Sequence, residues 1–157
     1  MKSVYRVLAY LIALEVVIQA SVIAFAIAGL GKWIHEGGVL DAASMESETT
    51  DFTGVAGFMI HGINGQMIVP LIALLLLISS FFARIPGGVL WAGLVLATVA
   101  VQVLLGIYSR GGEPVLGLIH GAVAFVLFTF AVIAARKAEA ALGGLERSPA
   151  RGTAGVA

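Results

Sequence analysis

The sequence predicts an all-α integral membrane protein, a four-helix bundle of up-down-up-down topology made of two pseudo-repeated helix hairpins. Three observations lead there. Of the 157 residues 60% are hydrophobic and 11% charged, with a mean hydropathy of +1.05, more apolar surface than a soluble domain of this size can hide. The apolar residues fall into four runs, each reaching the about 20 residues that a membrane-crossing helix needs. The later runs are joined by short turns, which make consecutive helices antiparallel neighbours.

The first run covers 4–30. Lys2 and Arg6 precede it, and Ala24-Phe25-Ala26 has the small-residue form of a signal cleavage site. The run is too long for a signal peptide and carries Glu15 and Gln19, so it is expected to be retained as the first membrane helix. The connection 31–54 is the longest and is acidic, with Glu36, Asp41, Glu46, Glu48 and Asp51. Trp33 suits an interfacial anchor, and Thr50 or Asp51 suits an N-cap for the second helix, 55–83. The turn Arg84 to Gly88 leads to the third helix, 88–108, and the turn Arg110 to Pro114 leads to the fourth, 114–135. Residues 1–137 thus make one transmembrane domain, and the Ala-, Gly-, Arg- and Ser-rich tail 138–157 is expected to be disordered.

Lys and Arg accumulate on the cytoplasmic side of membrane helices. With the N-terminus inside, that side holds seven of them, Lys2, Arg6, Arg84, Arg136, Lys137, Arg147 and Arg151, against Lys32 and Arg110 outside. A cell-membrane location with both termini cytoplasmic follows. The chain has no cysteine, which excludes disulfides, thiolate metal sites and iron-sulfur clusters. The expected surroundings are the lipid bilayer, and nucleic acid is not an expected partner; the formal net charge of zero says little about partners.

Chemistry concentrates in a triplet written twice, Ile60-His61-Gly62 and Ile119-His120-Gly121. Histidine is costly in hydrocarbon and seldom faces lipid. His61 lies six residues after Val55 and His120 five after Val115, so both sit about 8 to 9 Å inside the outer boundary. Counted from the inner ends, Arg84 and Arg136, the two depths differ by about 10 Å, which a kink at Pro70 would absorb in part. Gln19 and Gln102 lie at matching heights on the helices that precede the histidines, which gives the hairpin repeat and one central site.

Two histidines from opposed helices, with small residues beside them, are what a haem requires: axial nitrogens and flat space. Gly57, Gly62 and Gly65 surround His61, Gly117 and Gly121 surround His120, and Gly106 lies at that depth on the third helix. The alternatives are packing histidines that bond across helices, another metal, or a proton relay. Haem b is the leading expectation, with His61 and His120 as its iron ligands and Gly65, Gly117, Gln102 and Arg110 around it. Arg110 suits a propionate, or simply snorkels to water. Glu15, with Gln19 one turn further on the same face, is a candidate proton or quinone site, or a neutral carboxyl bonded to a neighbouring helix. His35 reads as a solvated loop histidine, and Met59 and Met67 as apolar packing.

With histidines on the second and fourth helices near the outer face, the pattern resembles the four-helix unit of haem A synthase and small membrane-bound b-type cytochromes, mainly over 54–135. The resemblance implies a four-helix fold and haem binding. It departs at Phe58, where haem A synthases have a glutamate three residues before the first histidine, and in lacking their outer-loop cysteine pair. It therefore implies holding a haem rather than modifying one. The expected function is a bacterial-type membrane cytochrome b transferring electrons near the outer face, with a quinone or a larger respiratory membrane complex as partner. The competing readings are a cofactor-free accessory subunit of such a complex and a small transporter coupled through Glu15.

Overall fold

The computed structural model describes residues 1–47 and 50–146. Glu48 and the tail from Arg147, including Arg151, lie outside the described residues. The described residues are helical, without strands, in the elements α1 (Lys2–His35), α2 (Ala42–Glu46), α3 (Ala56–Ala83), α4 (Gly88–Ser109) and α5 (Pro114–Glu146). All but α2 are long and apolar enough to cross a membrane.

Two helices run further than the sequence predicts. The 34 residues of α1 measure about 50 Å against a hydrocarbon core of about 30 Å, and His35 ends this helix as an exposed residue instead of lying in a loop. The fourth span does not stop at 135, and residues 138–146 are helix instead of disordered tail. Arg136, Lys137 and Glu139 mark the end of the apolar run but not of the helix, because alanines and charged residues continue a helix readily in water.

Local chemistry sets the boundaries. Arg84 takes the left-handed conformation (φ 51°) that closes α3, Gly87 (φ 72°) opens α4, and Pro114 occupies the first turn of α5, where a missing N–H is harmless. Neither Thr50 nor Asp51 caps α3. The chain enters it through a turn at Gly54 (φ 93°), with Val55 N–H bonded to Phe52 O. Asp41 caps α2 instead, accepting from Ser44 N–H at 2.7 Å while Ser44 Oγ accepts from Asp41 N–H at 2.8 Å. The Ser44 backbone and side-chain bonds hold the Asp41 carboxyl below the ordinary carboxylate range. Among the described residues the only ion pair is Lys32 with Glu36, one turn apart at the end of α1.

Ahead of Pro70, α3 contains a π turn, Asn64–Ile68, where Val69 N–H reaches back five residues to Asn64 O. Proline has no N–H and crowds the carbonyl four residues before it, so a widened turn ahead of Pro70 relieves both. The turn lies one residue beyond Ile63, just past His61.

The helices pack as a ring, α1 against α3 and α5, and α4 against α3 and α5. The core fills one half of it. Tyr5, Ala9 and Ile12 of α1, Ala73 and Leu76 of α3, Ala92 and Val95 of α4, and Ala131, Ala134 and Ala138 of α5 are buried, and these alanines let the backbones approach closely. That end is tied by Tyr5 Oη donating to Gly88 O at 2.9 Å, Lys2 Nζ to Ala141 O at 3.1 Å and Tyr10 Oη to Glu139 Oε1 at 2.9 Å. Lys137 Nζ also lies 5.9 Å from the Trp91 ring centre, within cation–π range. Outward-facing apolar side chains such as Leu118 (74% exposed) and Phe82 (64%) suit lipid and not water.

Candidate functional site

Beyond Val69, Val99 and Leu127 the four long helices enclose a cavity of about 950 Å³ in place of a core. The volume falls in the range of small-molecule sites. Of the residues singled out from the sequence, His61, His120, Gly65, Gly117, Gln102, Arg110 and Gln19 all line it, and Glu15 does not. Phe58, at the position where the resemblance expects a glutamate, supplies an apolar wall and meets Phe52 edge-on at 6.3 Å.

The two imidazoles face each other across the cavity, with ring centres 6.2 Å apart and planes at 70°. Each is held the same way: His61 Nδ1 lies 3.2 Å from Gln19 O, and His120 Nδ1 lies 3.2 Å from Gln102 O. An Nδ1–H donated to a backbone carbonyl fixes the tautomer that bares the Nε2 lone pair, the arrangement of metal-ligating histidines. The spacing fits a shared metal. Two imidazoles on opposite sides of one ion, bonded at about 2 Å with about 1 Å from nitrogen to ring centre, stand about 6 Å apart.

Among the described residues no three His, Cys, Asp or Glu side chains cluster, so the protein alone does not form a coordination sphere. A macrocycle that brings its own four nitrogens needs only the two axial ones. The glycines leave it room. A Cβ on Gly106 would lie 3.3 Å from His120 Cε1, and one on Gly62 would lie 3.0 Å from Arg110 Nη2, while one on Gly117 or Gly121 would meet nothing within 4 Å. Arg110 therefore reaches from the end of α4 across to the residue after His61, and with Glu113 it stands at the mouth of the cavity.

The two glutamines share a backbone role and differ in their side chains. Gln102 Oε1 is buried without a partner, the only such side-chain atom among the described residues. An unsatisfied acceptor beside a cavity leaves a place for a donor on a ligand or water. The Gln19 amide is fully engaged. With its nitrogen toward His61 it donates to Nδ1 at 2.6 Å and to His61 O at 3.2 Å, while its oxygen accepts from Gly65 N–H at 2.8 Å and from Asn64 Nδ2 at 3.2 Å. Asn64 Nδ2 also donates to Glu15 Oε2 at 2.6 Å. His61 Nδ1 thus has two mutually exclusive partners, accepting from the Gln19 amide or donating to Gln19 O, since one ring nitrogen cannot do both.

Asn64 is the site residue that sequence reasoning missed. Its signal was present: an amide inside an apolar run, three residues after His61 and so on the same face. No protein-family model, curated protein or solved structure matches the chain.

Proposed function

We propose that the chain is a small membrane cytochrome b that holds one haem b between His61 and His120 and serves electron transfer. The observation that carries this reading is the 6.2 Å separation of the two rings, the spacing of axial ligands to one iron. Two features support it: the matching Nδ1 contacts and the glycine-walled cavity. In this reading Arg110 faces a propionate at the cavity mouth, and Gly65, Gly106 and Gly117 make room for the ring.

A haem held there by His61 and His120 would supply one-electron chemistry. The protein's part is to hold both imidazoles, exclude water with Phe58, Val99 and Leu127, and keep the site near one membrane face. The seven-to-two distribution of Lys and Arg supports cytoplasmic termini in a cell membrane, an alternating up-down-up-down course and a site toward the outside. The repeated Gln-to-His contact supports a pseudo-twofold relation between the two hairpins. A quinol or an external donor fits as redox partner at that depth.

Absorption spectroscopy tests the reading. Protein purified from haem-replete cells is expected to show a Soret band and a sharp reduced α-band, both lost in His61→Ala and in His120→Ala. Folded, colourless protein from such cells rules it out.

A further inference from the structure

The two cavity histidines share a backbone contact and differ in what else reaches Nδ1. The Gln19 amide nitrogen lies 2.6 Å from His61 Nδ1, closer than the Gln19 carbonyl oxygen at 3.2 Å. Which of the two sets the hydrogen of His61 depends on whether the amide can turn over. Its nitrogen also stands 3.2 Å from His61 O, and its oxygen 2.8 Å from Gly65 N–H. A backbone carbonyl only accepts and a backbone N–H only donates. These two groups, four residues apart, are the pair that a regular α-helix joins to each other. The Gln19 amide is therefore inserted into the backbone ladder of α3 where the π turn begins. Turned over, it would set oxygen against oxygen and N–H against N–H.

Fixed in this way, the amide gives one hydrogen to His61 O and the other to His61 Nδ1, which must accept. The neutral imidazole then carries its single hydrogen on Nε2, the nitrogen that a metal needs bare. His120 is built the other way. Among the described residues its Nδ1 meets only Gln102 O, at 3.2 Å, and donates to it, which bares Nε2. Gln102 makes no bridge into α5, which passes this level as α-helix without a π turn, and its Oε1 stays without a partner.

Resting on the haem reading above, we propose that Gln19 makes the two axial ligands unequal: His120 is the firm ligand, and His61 the one that a small neutral diatomic molecule displaces. For His61 Nε2 to bond a metal, its hydrogen must move to Nδ1 and be donated to Gln19 O. No proton enters or leaves the site. The Gln19 side chain then has to withdraw from the 2.6 Å contact, because two donors cannot face each other at that distance. Its bridge between His61 O and Gly65 N–H is lost with it. His120 gives up nothing comparable. One hydrogen bond of net strength lost on one side only corresponds to a handicap of about three- to tenfold. Gln19 acts through His61 and is a positioning residue.

The first test needs no haem. Solid-state NMR of the full-length protein in lipid bilayers, purified without hemin, reads which ring nitrogen of each histidine carries hydrogen: Nε2 correlates with Cδ2, and Nδ1 with Cγ. At a pH where the imidazoles are neutral, with signals assigned by replacing each histidine in turn, His61 is expected to carry hydrogen on Nε2 and His120 on Nδ1. In Gln19→Leu the His61 hydrogen is expected on Nδ1, since the backbone carbonyl is then its only partner. The second test adds carbon monoxide to the reduced, hemin-loaded protein. Carbon monoxide is expected to bind about three- to tenfold more weakly to Gln19→Leu, whose His61 is the better ligand. A merely structural role for Gln19 gives the opposite sign, because a loosened site yields to carbon monoxide more readily.

Hydrogen on His61 Nδ1 in the unmodified protein overturns the inference, and that spectrum decides the matter if Gln19→Leu does not fold. Carbon monoxide binding Gln19→Leu as tightly as the unmodified protein, or more tightly, overturns the inequality of the ligands and leaves the haem reading standing. Failure of hemin to bind the unmodified protein overturns the haem reading and the ligand order with it, whatever the NMR spectrum shows.

Discussion

Replacing Gln19 and Gln102 by leucine should move stability in opposite directions, although the two residues hold equivalent places in the sequence. In the ligand-free protein Gln102 Oε1 has no partner, and leaving a buried acceptor unsatisfied costs about 1–3 kcal/mol. Leucine has nearly the same volume and no such atom, so Gln102→Leu is expected to stabilise by up to that amount. Gln19 makes four side-chain contacts. At about 0.6 kcal/mol for each bond inside a membrane, Gln19→Leu is expected to destabilise by about 2 kcal/mol, and by more because Gly65 N–H and Asn64 lose their acceptor. Equilibrium unfolding of both variants in one detergent, without added hemin, reads the difference. Shifts of the same sign would refute the asymmetry drawn between the two amides, and a destabilised Gln102→Leu would mean that Oε1 is satisfied after all.

Three further outcomes are expected. A Cβ at Gly29 would lie 1.6 Å from Thr53 O, so Gly29→Val should push the connection between α1 and α3 off α1, cost about 1–3 kcal/mol and speed proteolysis within that connection. Gly106→Leu drives a side chain toward His120 Cε1, already 3.3 Å from where a Cβ would stand. Hemin affinity should fall at least about tenfold, or 1.4 kcal/mol, with circular dichroism unchanged. Asp41, held below the usual carboxylate range by Ser44, should cap α2 at neutral pH and release it as the pH falls through its lowered titration point. Amide exchange at Ser44 is expected to accelerate there and to be fast at every pH in Asp41→Ala.

The spans were legible because a membrane helix announces itself twice, by an apolar run and by the charges that flank it. Where those two signals part, the reading failed: Arg136 ends the apolar run, yet α5 continues to Glu146 because a helix needs no lipid once it leaves the bilayer. The histidine pair was legible because the Ile-His-Gly triplets recur at matching places in two apolar runs; the contacts of each histidine with the backbone carbonyl of Gln19 or Gln102 were not read from the sequence. The start of α3 was not, since Gly54 does by backbone conformation what Thr50 or Asp51 would do by capping. The difference between Gln19 and Gln102 was also hidden. It depends on Asn64 and a π turn, and hydrogen-bond direction leaves no trace in hydropathy.

The division of the bundle into an alanine-packed half and a hollow half separates the protein's two tasks. Tyr5, Leu76, Val95 and Ala134 hold the fold from one end, so the walls around His61 and His120 need not hold it from the other. Changes in the hollow half are therefore free to alter what the cavity admits, how tightly and from which side, while the closed half keeps the helices in register. Such a chain can reach its final shape before the cavity is filled, and empty the cavity without coming apart.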